Sequence, residues 1–169
     1  KSFYFWMVQF LKRRYKNVSL VFIAHDARAY LVDEKDFFKV TSSGGTLCST
    51  AFEMAYEHIQ ANHPPSSWNN YVFEFSDGDN WGDDNLRVLE FVKKLLPLVR
   101  AMGYGEIVPE GDFSPWMNEE NRLSAVLDRE VNRTRFVSIR IGSRDEVFDA
   151  LKAFFNIDNS AKKTVGGVA

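Results

Sequence analysis

The sequence contains a single cysteine, Cys48, so no internal disulfide can form and a reducing, cytoplasmic setting is the expectation. No apolar run approaches the roughly 18 residues that a membrane-crossing helix needs, and no stretch is built like a signal peptide. Positive charge is not in excess: twenty-one basic against twenty-three acidic residues leave a net charge of −2. That excludes the broad basic field of a non-specific nucleic-acid binder. There is no internal repeat and no domain linker. An initiating methionine is missing too; the chain opens at Lys1 and enters a helical pattern at once, which predicts a fragment of a longer protein. What is present is apolar bulk. In 169 residues, 45% are hydrophobic and fifteen are phenylalanine, enough to give one globular domain a substantial core.

Phe3, Met7, Phe10 and Leu11 share one face of a first helix. Tyr4, Phe5, Trp6 and Val8 fill much of its remaining circumference, which predicts burial on more than one side. Lys12, Arg13 and Arg14 close it as a solvated, electrostatically favourable end. Ser19–Ala24 is a continuous apolar strand, and Ala29–Val32 is close enough to return as a hairpin. His25-Asp26 between them reads as a strand-end turn, because one His-Asp pair is weak support for the metal site of phosphohydrolases. Asp33–Phe38 predicts a surface turn or one helical turn. Leu47, Ala51, Met54, Ala55 and Ile59 line a second helix, opened by the Ser/Gly loop Thr41–Thr46 and ended by Pro64-Pro65. His58 and His63 on and after this helix lack partners at zinc spacing and read as structural or exposed.

Tyr71–Phe75 follows as a buried strand, and Leu86, Leu89, Val92, Leu96 and Val99 mark a third helix that Pro97 should kink or shorten. Gly103–Val108 is a short strand, and Ser114-Pro115 opens a helix through Leu123, Val126 and Leu127. In Arg133–Ile141, Val137, Ile139 and Ile141 alternate with Ser138 and Arg140. A capping box, Ser143 with Glu146, starts a last helix, and 159–169 reads as a flexible tail. Helices alternating with apolar strands predict an α/β sheet with helices on both faces.

The most informative stretch is Tyr71–Asn85, YVFEFSDGDNWGDDN. An apolar strand stops at Ser76-Asp77 and gives way to a turn dense in aspartate. Ligands of open α/β sheets sit outside the carboxyl ends of strands, and carboxylates there suit hard divalent cations. The same residues could equally be a solvated turn in which Asp83 or Asp84 caps the following helix. An EF-hand loop is excluded. With Asp77, Asp79 and Gly82 at positions one, three and six, positions five and twelve fall on Trp81 and Val88, which offer no oxygen ligand. Nor is Ser43–Thr46 a Walker A loop, since no lysine precedes Thr46.

Gly44-Gly45-Thr46 opening one helix and Phe75-Ser76-Asp77-Gly78 ending the next strand resemble the von Willebrand factor A domain. FWMVQFLKRRY, VFIAHD, SSGGT and SDGDNWGDDN are similar to the bacterial YeaH/YhbH family of stress- or sporulation-associated proteins. SDGDNW is the most specific piece, and the similarity loosens after Ile107. The resemblance implies a Rossmann-like three-layer sandwich with a mainly parallel sheet, occupying 1–169 as a single domain. It also implies a metal-ion-dependent adhesion site in which Thr46 and Asp77 hold Mg²⁺ or Mn²⁺, with Gly45, Asp79, Asn80 and Trp81 around it to receive a protein partner. No catalytic residue is implied. The family's neighbours, a serine-kinase-like and a SpoVR-like protein, are the implied partners; nucleic acid and membrane are not.

One departure from the family pattern matters. No D-x-S-x-S precedes the first helix, so the upstream ligands and the first, central strand of that fold are missing from this sequence. Thr46 and Asp77 alone are a thin set for an ion that takes about six oxygens, so metal binding here should be weak or absent. The lost strand would lie between Ser19–Ala24 and Tyr71–Phe75. Those strands must then pair directly, accept another segment, or leave backbone groups unsatisfied, and homo-dimerisation through the exposed edge is expected. Against the interaction module stands a metal-dependent hydrolase or phosphoryl-transfer enzyme. It would use Asp77, Asp79, Asp83 and Asp84 for the metal and Ser43–Thr46 for phosphate, but the sequence offers it no paired base or nucleophile. Trp81 itself reads two ways, as an interface anchor or as a ring folded back onto the neighbouring helix.

Overall fold

The computed structural model describes residues 2–39, 47–78, 80–108, 119–143 and 145–165. In chain order these form α1 (Ser2–Arg14), β1 (Phe22–His25), β2 (Ala29–Val32), α2 (Glu34–Phe37), α3 (Cys48–Asn62) and β3 (Tyr71–Ser76). They continue with α4 (Asp84–Leu95), β4 (Ala101–Ile107), α5 (Leu123–Glu130), β5 (Phe136–Ile141) and α6 (Glu146–Val165). The succession of helices and strands is the one the apolar periodicity predicts, with α2 as the single helical turn that Asp33 caps by accepting from the Asp36 N–H at 2.7 Å. Ser114-Pro115 lies outside the described residues.

β3, β4 and β5 form a parallel sheet in that order, with Tyr71 opposite Ala101 and Met102 opposite Phe136. The crossovers run through α4 and α5, as parallel strands require. β1 and β2 are a separate antiparallel hairpin. Apolar side chains cover both faces of the parallel sheet. Phe52, Val88, Val92 and Leu95 from α3 and α4 meet Met102, Tyr104 and Phe136 on one side. Met7 and Leu11 from α1, with Leu151 and Phe154 from α6, meet Phe73, Val137 and Ile141 on the other. Gly103 and Gly105 of β4 serve this second layer. A Cβ on either would fall 2.2 Å from the ring of Phe154 or Phe75, so the missing side chains make room for the aromatics.

Several local expectations change. α1 buries one face only: Met7, Val8 and Leu11 are inside, while Phe5, Trp6 and Phe10 are exposed, because a single layer packs against this outer helix. β1 begins at Phe22, three residues later than the apolar run. α4 ends at Leu95 and tightens into a 3₁₀ turn, Leu96–Leu98, since Pro97 has no N–H to continue the helix. The capping contact of α6 is shifted by one residue, with Glu146 accepting from the Gly142 N–H at 2.7 Å rather than from Ser143. α6 keeps a helical backbone to Val165, into the stretch whose pattern suggested a tail; Ala161, Lys162 and Lys163 are all good helix formers.

β1 and β3 do not pair with each other. Between them lies a cleft of about 970 Å³, lined by Val8, Leu11, Ile23, Phe52, Ile59 and Phe73 among others. It runs alongside both strands and reaches Glu74.

Candidate functional site

The carboxyl ends of β1 and β3 converge on the first turn of α3, and the acidic turn after β3 closes over that turn. Leu47 reaches α3 by donating its N–H to the carbonyl of Asp26, just past β1. The first N–H groups of a helix have no partners within it. Here the acidic turn supplies two. Asn80 Oδ1 accepts from the Cys48 N–H at 3.0 Å, and Asp84 Oδ2 accepts from the Ser49 N–H at 2.9 Å. The Ser49 hydroxyl donates to the other carboxylate oxygen of Asp84. A buried carboxylate at a helix N-terminus is also favoured by the helix dipole.

The sequence assigned Asp83 or Asp84 to the start of α4. Asp83 does occupy that cap position, but its side chain makes no capping hydrogen bond, and Asp84 caps α3 instead. Tertiary contact explains the difference, because the turn is pressed against a helix 35 residues back in sequence. Asn80 Nδ2 donates to Asn85 Oδ1 at 2.8 Å, and Asn85 in turn donates to the carbonyl of Asn121. The turn is therefore tied down at both ends.

Trp81 stands on this frame with 67% of its surface exposed, so it does not fold back onto α4. Leu86, on the first turn of α4, is exposed as well. Asp77 is exposed at the end of β3. Its neighbour Ser76 shares a 2.7 Å hydrogen bond with the buried Tyr104 hydroxyl and accepts from the Gly78 N–H. Thr46, Gly45 and Asp79 lie outside the described residues, so of the expected constellation Asp77, Asn80 and Trp81 can be placed. Asn80 acts inward, as a cap.

Beneath the turn sits a group that local reading of the sequence missed. His25 at the end of β1, Cys48 at the start of α3 and Glu74 in β3 place one ligand-type atom each within 4.8 Å of one another. Cys48 is fully buried and Glu74 is 8% exposed. Glu74 supplies the charge its neighbours feel. It raises the His25 imidazole above its ordinary value more than burial lowers it. The Cys48 thiol is pushed up chiefly by burial and then by Glu74. The Tyr4 phenol is raised by the same two causes in the same order. The available signal was a glutamate inside an otherwise apolar strand, where alternation puts Val72, Glu74 and Ser76 on one face.

A second buried carboxylate, Glu106 of β4, is fully enclosed and bonded to Arg122 at 2.6 Å, with Arg140 at 3.5 Å. Gly78 packs on it with φ +82°. Asp26 closes the turn between β1 and β2 by accepting from the Arg28 N–H at 3.0 Å, as a strand-end turn should. His58 and His63 stack ring on ring, and His63 also contacts the Ser19 hydroxyl at 3.1 Å.

These features define the class: a mixed α/β domain whose polar groups gather at the carboxyl ends of its strands. The chain belongs to the family described as "Protein of unknown function (DUF444)", whose model matches residues 1–158. It is 40% identical over 152 residues to a UPF0229 protein of Ruminiclostridium cellulolyticum, covering 90% of this chain and 37% of that protein. It is also 38% identical over 161 residues to a UPF0229 protein of Halalkalibacterium halodurans, covering 95% and 39% respectively. The chain thus spans under two fifths of the length of these relatives. Among the described residues no helix is long and apolar enough to cross a membrane.

Proposed function

We propose that this chain is a non-enzymatic protein-interaction module of the von Willebrand factor A type, presenting Trp81 to a protein partner at the carboxyl edge of its sheet. Trp81 carries the reading. It is 67% exposed on a turn fixed by Asn80, Asp84 and Asn85. A large aromatic held in solvent on a rigid frame loses little freedom on binding, and tryptophan is enriched among residues that dominate interface energies. Gly45 and Asp79 complete the surface in this reading.

In a version of the chain extended upstream, Mg²⁺ or Mn²⁺ would be held by Thr46, Asp77 and groups of the added segment, leaving a position for a partner carboxylate. Of that set this sequence supplies Thr46 and Asp77, and one hydroxyl with one carboxylate does not make a site of about six oxygens. This chain by itself should therefore bind Mg²⁺ weakly or not at all. The cleft between β1 and β3 supports the same fold reading, since it lies where the first central strand of that fold would run. A second copy of the chain could lend a strand there, and a dimer by light scattering is the expected result. A monodisperse monomer would count against that exchange. The first heterologous partners to try are the serine-kinase-like and SpoVR-like proteins of a bacterial stress or sporulation pathway.

The alternative, a metal-dependent hydrolase using the acidic turn, is weakened at Asp84, because both its carboxylate oxygens are engaged by Ser49. Calorimetric titration with Mg²⁺ tests the metal part of the proposal. A version extended upstream should bind, this chain should not, and Asp77→Ala should abolish the heat. Hydrolysis of a phosphate ester by the extended version, lost in Asp77→Ala, would favour the hydrolase instead.

A further inference from the structure

His25, Cys48 and Glu74 come from three different elements, yet their donor atoms lie within 4.8 Å of one another, beneath the acidic turn. Among the described residues no other trio of His, Cys, Asp or Glu closes so far. Contact between His25 and Glu74 is short but poorly used. Nε2 lies 2.8 Å from Glu74 Oε1, yet that oxygen has no aligned hydrogen-bond donor, and His25 Nδ1 has no partner either. Buried polar atoms are nearly always satisfied, so the unsatisfied Glu74 Oε1 beside His25 Nε2 calls for a ligand, while Nδ1, on the other side of the ring, needs a partner of its own. We propose that His25, Cys48 and Glu74 form a binding site for one divalent transition metal of the zinc class, distinct from the Mg²⁺ site ascribed to Thr46 and Asp77.

The donor set selects the ion. One imidazole, one thiolate and one carboxylate suit a borderline-soft cation, whereas Mg²⁺ and Ca²⁺ require oxygen ligands. Zinc bonds of about 2.0–2.3 Å separate tetrahedral ligand atoms by roughly 3.3–3.8 Å, so the His25–Glu74 pair at 2.8 Å would open and any wider separation close, by side-chain movements on the order of 1 Å. Three protein ligands leave a fourth position for water or another exogenous donor. Binding must release the Cys48 proton, because the thiolate is the ligand. The positions of the three are well supported. Cys48 is anchored by its N–H to Asn80, and Glu74 and His25 sit on strands.

Cobalt(II) titration of the purified protein tests this, since Co²⁺ takes zinc sites and reports a bound thiolate by a near-ultraviolet charge-transfer band. The only cysteine is Cys48, so the band has one possible source. The expected result is a band that saturates at one equivalent, is bleached by Zn²⁺ and survives excess Mg²⁺. Cys48→Ser should remove it, and His25→Gln or Glu74→Gln should weaken Co²⁺ binding at least tenfold. Absence of the band in the wild-type protein overturns the proposal, whatever the variants do. So does a band that excess Mg²⁺ displaces, or one that His25→Gln and Glu74→Gln leave at wild-type affinity.

Discussion

Replacing Gly78 by alanine should be among the most damaging small changes available to this protein. The residue sits at φ +82°, where an L side chain costs about 1–2 kcal/mol. An added Cβ would also lie 2.5 Å from Glu106 Cδ and 2.7 Å from Oε2. A glutamate tip can normally swing aside, but this one is fully buried and held at 2.6 Å by Arg122. Moving it strains or breaks a buried ion pair, and full rupture costs about 3–5 kcal/mol. The combined effect should be about 2–5 kcal/mol, read in urea denaturation as a lower midpoint at unchanged slope. A double-mutant cycle separates the causes. In a Glu106→Ala background, Gly78→Ala should cost only the backbone share of about 1–2 kcal/mol. A single-variant loss below about 0.5 kcal/mol, the range of ordinary surface changes, would refute the reasoning.

Asp84→Ala should cost about 1–3 kcal/mol, because it strips partners from the Ser49 N–H and hydroxyl in a buried place, and Asp84→Asn should cost less. Equal midpoints for the alanine variant and wild type would mean that Asp84 does not cap α3. His25 gives a pH signature. Its folded pKa is raised above 6.5, so the proton stabilises the fold below 6.5 and that contribution is lost as pH climbs through the raised value. Denaturation midpoints of the metal-free protein should fall across that window, and His25→Gln should flatten the fall; an unchanged profile in the variant would exclude the His25–Glu74 pairing. Gly103→Ala should destabilise by about 1–3 kcal/mol through overpacking against Phe154, measurable in the same denaturation series.

Much of this architecture could be read from period alone. Val137, Ile139 and Ile141 face α1 and α6 as their alternation implies, and Pro97 ends α4 as its missing N–H requires. The acidic turn was legible as a place, at the end of β3, but its internal roles were not. Local rules give an aspartate to the helix it precedes. Asp84 instead serves α3, a choice made by packing between segments far apart in sequence. The same limit hid His25, Cys48 and Glu74. No spacing rule joins a strand end, a helix start and a mid-strand glutamate, and only the fold brings them together. For Trp81 the sequence left two conformations open, and the pinned turn holds the ring in solvent.

The most direct test of Trp81 as the recognition residue is quantitative cross-linking of a full-length family member in its own cells. Wild type should be compared with Trp81→Ala and Trp68→Ala. Trp68 is also exposed but precedes β3, at the opposite end of that strand. Trp81→Ala should lose at least tenfold of the cross-linked partner at an unchanged unfolding midpoint, while Trp68→Ala keeps it. Equal partner yields from wild type and Trp81→Ala would contradict the assignment.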